Sequence, residues 1–286
     1  MRKDGFSGIA WLSYFLCISG AVIVSFPLIW MALTSLKTKV ELTHLPITFF
    51  PKNFLNFDNY KIVLNFDISE ITFARQPMGR ALLNSFLISS IAVISSAFLA
   101  SLAGFGFAKF NFFGKEFFFV AIISLLIIPF HALAVPLYLW VNKFGLIDTY
   151  PGVVLPFLVS AFGVYLAREA IAQIPNDYID AARIDGCSYI RIFLQIILPN
   201  IKPTLIVLII IKFTWTWNEF FWPLIVSSSD RTKVITVALS SFKSQHFTAW
   251  ELMSAGAVAS IVPVALLFIL FQKWVTKGII MSGIKG

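Results

Sequence analysis

"IPNDYIDAARIDGCSYIRIFLQIILPNIKP", residues 174–203, is a stretch of mixed polar helix set between two strongly apolar segments. Pro175 suits the first turn of a helix, where its missing N–H costs nothing. Asn176 and Asp177 bring acceptor or negative character to the positive end of the helix dipole. Tyr178, Ala181, Ala182 and Asp185 follow at helical spacing, and Gly186 can supply the left-handed residue that ends this short helix. A second helix, roughly Tyr189 to Ile197, would put Ile190, Phe193, Leu194 and Ile197 on one apolar face. Leu198-Pro199 would stop it, and Pro203 would start the next apolar segment. The pattern predicts a helix–turn–helix at the surface of an apolar body. The small Ala181 and Ala182 leave its first helix low enough for another backbone to approach. An amphipathic hairpin that merely closes a loop at a membrane surface fits the same residues.

The flanking segments set the class. The chain has 286 residues, 58% hydrophobic and 13% charged, with 31 phenylalanines, and a mean hydropathy of +0.86. A water-soluble domain has no use for so much apolar surface, so a multi-span membrane protein is expected. A helix needs about 20 apolar residues to cross a hydrocarbon core ~30 Å thick. Six spans are expected, at 8–35, 80–109, 116–141, 149–172, 202–227 and 254–275, all within one transmembrane domain covering 1–286. The hairpin then occupies 174–199, external loops fall at 36–79 and 228–253, and a tail follows at 276–286. The first run is expected to be a span and not a cleavable signal, being too long and lacking a small-residue cleavage site. Cys17 falls within it and Cys187 in the hairpin, so no disulfide is expected.

The net charge of +8 is scattered through loops, which suits a border of anionic lipid better than nucleic acid. With both termini inside, the inner segments carry 11 Lys/Arg and the outer ones ten, six of these in the long stretch 35–80 where charge counts for less. The tilt favours cytoplasmic termini, with the hairpin on the same side.

Polar groups inside the spans are few. Lys212 and Glu219 are seven apart, two turns along one helix face, with Trp215, Trp217 and Asn218 nearby. Charges at membrane depth face a cavity or a partner, although snorkelling to the interface is the plain alternative. The second span has a face of small residues: Ser85, Ser89, Ser95, Ser96, Ala100, Ser101, Gly104 and Ala108. It fits a pore lining or ordinary close packing equally. Pro27, Pro129 with Pro136, Pro156, Pro223 and Pro263 put proline in five of six spans, as kinked or broken helices would need. His44, His131 and His246 stand apart from Cys and acidic clusters, so no metal site is expected. "GFGFAKF" at 104–110 has the wrong spacing for a phosphate-binding loop, and no nucleophile elbow or His-Glu-x-x-His occurs. The chain is therefore expected to be no enzyme.

The hairpin also resembles the EAA loop of ABC importer permeases, whose pattern is Glu-Ala-Ala, three residues, Gly, nine residues, then Ile-x-Leu-Pro. Here it reads Asp180-Ala181-Ala182, three residues, Gly186, nine residues, then Ile196, Leu198 and Pro199. Asp180 replaces Glu, keeping the charge and shortening the reach. "NSF" at Asn84–Phe86, "WNEFFWPL" at Trp217–Leu224 and the ending "FQKWVTKGIIMSGIKG" resemble the sugar-importer branch, which includes the smaller permease of maltose-type and glycerol-phosphate-type systems. The resemblance covers most of the chain and implies an all-α polytopic protein with the type I ABC importer permease (maltose-type) fold, in the bacterial cytoplasmic (inner) membrane.

By that resemblance, Asp180, Ala181, Ala182, Asp185 and Gly186 couple to a P-loop ATPase subunit present in two copies. ATP and Mg are bound there, and no cofactor is held by this chain. The other implied partners are a second related permease (a heterodimer), an extracytoplasmic solute-binding protein and membrane lipid, with no nucleic acid. The solute would be a sugar, an oligosaccharide or a glycerol-phosphate-like polyol. Asn84, Trp217, Asn218, Glu219 and Lys212 are the candidates for the translocation pathway. Asn218 and Glu219 match the family's Trp-Asn-acid pattern, whereas Lys212 stands where that pattern is apolar or hydroxylated. An ion-coupled secondary transporter should instead show an internal repeat and broken helices around a midplane ion site, and neither is clear. A membrane-embedded enzyme should show converging titratable groups, and only Lys212, Glu219 and His131 qualify.

Overall fold

Apolar runs become helices throughout this chain, and proline with a nearby capping group decides where they break. The structure, a computed structural model, describes residues 4–64, 78–243 and 248–283, with side chains described over 10–64, 78–243 and 248–273. In chain order the helices are α1 (Asp4–Thr34), α2 (Lys39–Thr43), α3 (Asp58–Val63), α4 (Met78–Lys109), α5 (Lys115–Ser124), α6 (Phe130–Lys143), α7 (Tyr150–Val154) and α8 (Ala161–Ala172). They continue as α9 (Asn176–Ile184), α10 (Tyr189–Ile192), α11 (Leu198–Asn200), α12 (Lys202–Asn218), α13 (Phe221–Val226), α14 (Ile235–Ser240) and α15 (Trp250–Gly283). Among the described residues the only β pairing is an isolated bridge between Lys243 and Thr248.

Among those residues, three helices are long and apolar enough to cross a membrane unbroken: Ala10–Thr34, Met78–Lys109 and Trp250–Lys273. Two bent pairs, Tyr150–Phe157 with Ala161–Ala172 (44°) and Tyr189–Asn200 with Lys202–Asn218 (76°), raise the number to five. The expected six spans are interrupted in three places. The third, 116–141, is two helices, α5 and α6, separated ahead of Pro129, which pushes the residue before it out of the helical region. The fourth breaks after Phe157, and Ser160 restarts it by accepting from the Gly163 N–H at 3.0 Å. The fifth, 202–227, breaks after Asn218, where Glu219 is extended, and resumes as α13 from Phe221. By contrast, Pro27, Pro136 and Pro263 lie inside continuous helices. The last helix also runs on to Gly283, through most of the expected tail.

Contacts divide the chain into two units. The first comprises residues 1–80 and 238–262. In it, the beginning of the expected external loop folds into a cap on the end of α1. Asn59 donates to the carbonyls of Ser35 and Lys37, both at 2.8 Å, and Tyr60 shares a 2.7 Å hydrogen bond with the Ser35 hydroxyl. Lys37 is fully buried; it donates to the Thr48 carbonyl and lies 4.8 Å from the centre of the Trp30 ring. Burial pushes its pKa below the ordinary lysine range, partly offset by the charge of Glu41. A capping box between Thr38 and Glu41 starts α2. Residues 65–77 of this loop, and His246 of the last one, lie outside the described residues.

The second unit comprises residues 81–237 and 263–286. Here the small face of α4 is used for packing. A Cβ added at Gly104 would meet the Ala167 Cβ at 2.7 Å and the Arg168 nitrogen at 2.8 Å, so only glycine lets α4 and α8 approach this closely. Ser85 accepts from the Ile235 N–H at 2.8 Å, and Ser95 donates to the Leu158 carbonyl at 3.1 Å. One buried cluster gathers Ile88, Val153, Val226 and Val237 around Trp222. Another, with Phe105, Ala167, Ile171, Ile192 and Ile197, lies beneath the hairpin.

Candidate functional site

The second unit carries two features of interest, the hairpin and a polar cavity. The hairpin begins at Pro175, which precedes α9 in an extended conformation. Gly186, at φ +77°, makes the left-handed turn that its position requires. Its N–H bonds the Arg183 carbonyl at 3.1 Å, and that of Cys187 bonds the Ala182 carbonyl at 2.9 Å. Ser188 then caps α10 by accepting from the Arg191 N–H at 3.3 Å. The second helix differs from expectation in phase and length. Its buried residues are Ile192, Phe193 and Ile197, while Ile190 and Leu194 are exposed. A π-helical turn over Phe193–Ile197 widens the helix there, so the buried face departs from a regular 3.6-residue stripe. The helix passes through Leu198-Pro199 and ends at Asn200, where the chain bends by 76° into α12.

The hairpin is anchored to the end of α4. Lys109 donates to the Ile174 carbonyl, and to the Asn176 side chain at 2.9 Å. The Phe105 and Phe193 rings stack at 5.8 Å, and those of Phe110 and Tyr189 meet at 4.9 Å. Arg183 lies 4.4 Å from the centre of the Tyr189 ring. Of the expected coupling residues, Asp180, Ala181, Asp185 and Gly186 are exposed. Ala182 is the correction: helical periodicity turns it into the cluster with Phe105 and Ile171, so its face is covered by this chain itself. The hairpin also exposes three large apolar side chains, Ile184 at 87%, Ile190 at 74% and Tyr178 at 62%, of which the spacing argument had not named Ile184.

The cavity, of about 350 Å³, is lined by Phe130, His131, Phe157, Lys212, Trp215, Thr216, Asn218 and Glu219. It forms where α12 gives way to α13. Glu219 accepts from the Trp222 N–H at 3.1 Å through one carboxylate oxygen, capping the start of α13, and its carbonyl accepts from the Thr236 hydroxyl at 2.7 Å. Trp222 donates in turn to the Gly152 carbonyl at 3.2 Å. Lys212, Asn218 and Glu219 therefore come together as expected of one site. Two candidates do not. Trp217 is buried and stacks on Phe213 at 5.5 Å, because it lies on the packed side of α12. Asn84 donates to the carbonyls of Arg231 and Lys233 at 2.9 and 2.8 Å and accepts from the Tyr150 hydroxyl at 2.8 Å, tying loops together. The aromatic wall of Phe130 and Phe157 had no signal in local spacing, since it comes from two other segments of the chain.

A loop clamp completes the arrangement. Asp148, at φ +57°, accepts from the backbone N–H groups of Ser228 and Ser229, both at 3.0 Å, and from the Thr232 hydroxyl. Burial alone would raise its pKa, but these hydrogen bonds outweigh it and bring the carboxyl down to about 2.

Comparison with known proteins gives the chain its family. The profile of the binding-protein-dependent transport system inner membrane component matches residues 96–281. The arabinooligosaccharides transport system permease protein AraQ of Halalkalibacterium halodurans is 33% identical over 267 residues, 93% of each chain. The sn-glycerol-3-phosphate transport system permease protein UgpE of Brucella abortus is 28% identical over 271 residues, 94% of this chain and 95% of its own. Among solved structures, a bacterial ABC transporter involved in the import of the acidic polysaccharide alginate superposes with a TM-score of 0.80 at 20% identity, covering 96% of this chain and 98% of its own. That likeness supports the fold, all-helical and of the type I importer kind. With the profile covering about two thirds of its length, the chain belongs to the binding-protein-dependent transport system inner membrane components, as a membrane-spanning permease subunit of an importer.

Proposed function

We propose that this permease forms part of the pathway for a sugar or sugar-like solute and couples it to ATP hydrolysed by a partner. The observation that carries the reading is the lining of the cavity. Aromatic faces from Phe130, Phe157 and Trp215 stand opposite hydroxyl, amide and carboxylate groups from Thr216, Asn218 and Glu219. Apolar walls with a few converging polar groups are the general form of a small-molecule site. A sugar presents both kinds of surface, C–H faces and hydroxyl edges. The buried Thr216 hydroxyl has no hydrogen-bond partner among the described residues, a polar group still unmatched beside the cavity. Relatives named for arabinooligosaccharide and glycerol-phosphate transport support the same class.

In this reading the exposed Tyr178, Ile184 and Ile190, with Asp180, Ala181, Asp185 and Gly186 beside them, dock a P-loop ATPase that binds ATP and Mg. Two copies of it, a second related permease and an extracytoplasmic binding protein complete the importer, with both termini and the hairpin on the cytoplasmic side. The test is purification in mild detergent, identification of every co-purifying chain, and assay of ATP hydrolysis with binding protein added. An ATPase, a second multi-span protein and stimulated hydrolysis are expected. A lone chain that moves solute on an ion gradient would overturn the proposal in favour of a secondary transporter.

A further inference from the structure

Lys212 is an unusual side chain for a wall of this kind. It is 9% exposed and lines the cavity, yet its ammonium has no hydrogen-bond or ion-pair partner among the described residues. The Phe157 ring lies nearby, with the nitrogen 5.8 Å from its centroid. Glu219 lines the same cavity but spends a carboxylate oxygen on the Trp222 N–H and makes no ion pair with Lys212. Taking an ammonium out of water costs several kcal/mol unless an opposite charge meets it. In the apolar part of a span that cost falls on the fold itself. Elsewhere the same molecule does supply partners for lysines. Lys37 has a carbonyl and an indole face, Lys109 a carbonyl and an amide, and Lys233 the carboxylate of Asp230 at 2.5 Å.

We infer that Lys212 meets an anionic group on the transported solute, so that the pathway favours a sugar or polyol bearing a carboxylate or a phosphate. This rests on the proposed sugar-pathway reading and narrows it. The geometry fits the division of labour within the cavity. The rings of Phe130, Phe157 and Trp215 face the carbon skeleton, Thr216 and Asn218 take hydroxyls, and the one unmatched cation takes the charge. Because Lys212 is buried, its field is screened less than that of a surface lysine, so it discriminates more strongly between charged and neutral solutes. Glu219 on the same wall would repel an anion that bound in the reverse sense, which adds orientation to attraction.

The experiment uses the whole importer in liposomes. It compares uptake of two matched pairs, a neutral disaccharide against its uronic acid form and glycerol against glycerol phosphate, in the wild type and in Lys212→Met. For the wild type, uptake of at least one anionic member is expected to exceed that of its neutral partner at least tenfold. Which pair responds separates carboxylate from phosphate. Lys212→Met should remove most of that preference and Lys212→Arg should keep it, with co-purification of the subunits reporting assembly. If Lys212→Met does not assemble, the polar, uncharged Lys212→Gln decides the same question. Uptake of neutral sugars as fast as acidic ones, with the ratio unmoved by the variants, would overturn the inference and leave the sugar importer standing. An equal loss of both members of every pair would also overturn it, assigning Lys212 to a carboxylate on the partner permease. An assembled complex that hydrolyses ATP yet moves no saccharide or polyol at all would sink the sugar reading itself.

Discussion

The hairpin and the cavity are each inverted with respect to their surroundings, in opposite senses. The hairpin is the polar interlude of the chain, yet it holds Tyr178, Ile184 and Ile190 outward. The cavity lies among apolar helices, yet it gathers Lys212, Thr216, Asn218 and Glu219. Covering an exposed apolar side chain is worth roughly 25 cal/mol per Å², and matching a buried charge is worth more. In the proposed reading each region is completed by matching chemistry: a largely apolar protein surface in one case, a polar solute in the other. Both inversions are held in place by bonds on their inner sides, Lys109 to Ile174 and Asn176 for the hairpin, and Glu219 to Trp222 for the cavity.

The sharpest way to break this comparison is to make the hairpin polar throughout. Ile184→Asp is expected to reduce uptake roughly 100-fold, the loss of about 2.7 kcal/mol of docking energy, with the helical circular dichroism unchanged. Normal uptake would remove Ile184 from the docking face. Next come the paired alanines. Ala182→Trp should destabilise the fold by about 1–3 kcal/mol through overpacking against Phe105 and Ile171. Ala181→Trp should leave the thermal midpoint alone and act on ATPase binding. Equal midpoints for the two variants would refute the inward and outward assignment.

At the cavity, Glu219→Ala is expected to lower uptake about fivefold while the subunits still co-purify, since a capping acceptor is typically worth ~1 kcal/mol. Glu219→Gln keeps an acceptor for the Trp222 N–H and should recover most of that loss; if it does not, the charge matters more than the cap. The smallest effect concerns Asp148. Its folded pKa, near 2, lies below the ordinary 3.8. Its stabilisation is therefore complete above that ordinary value and fades as pH falls through 2. The thermal midpoint should drop on going from pH 5 to pH 2.5, and Asp148→Asn should shrink that drop.

Much of this was legible in the sequence. Gly186 was legible as the left-handed residue because its two flanking segments read as helical and glycine takes that conformation without steric cost. Lys212, Asn218 and Glu219 could be grouped because they share one short segment and a charge in a span needs a reason. What stayed hidden depended on contacts far along the chain or on small changes of helical phase. Ala181 and Ala182 are neighbours of identical chemistry, and only the packed cluster under α9 decides which of them faces out. On the second helix Ile192 is buried where Ile190 was expected, a shift of helical phase set by the packed cluster beneath it. The prolines were visible as interruptions, yet Pro27 and Pro223 read alike. Pro27 is followed by the wholly apolar Leu28–Leu33, whereas Pro223 is preceded by Asn218 and Glu219, whose carboxylate can start a new helix.

The bend at Ile201 has a mechanical consequence. One residue, at φ −94° and ψ 7°, separates the hairpin's second helix from α12. Two rigid arms meeting at 76° through a single joint form a bell crank. At 1.5 Å per residue, the 17 residues of α12 make an arm of about 25 Å. A rotation of roughly 10° at the joint would carry its far end through about 4 Å, by the same rise per residue. That far end is Asn218, which lines the cavity, so a small displacement of the hairpin about this joint would reach the cavity enlarged.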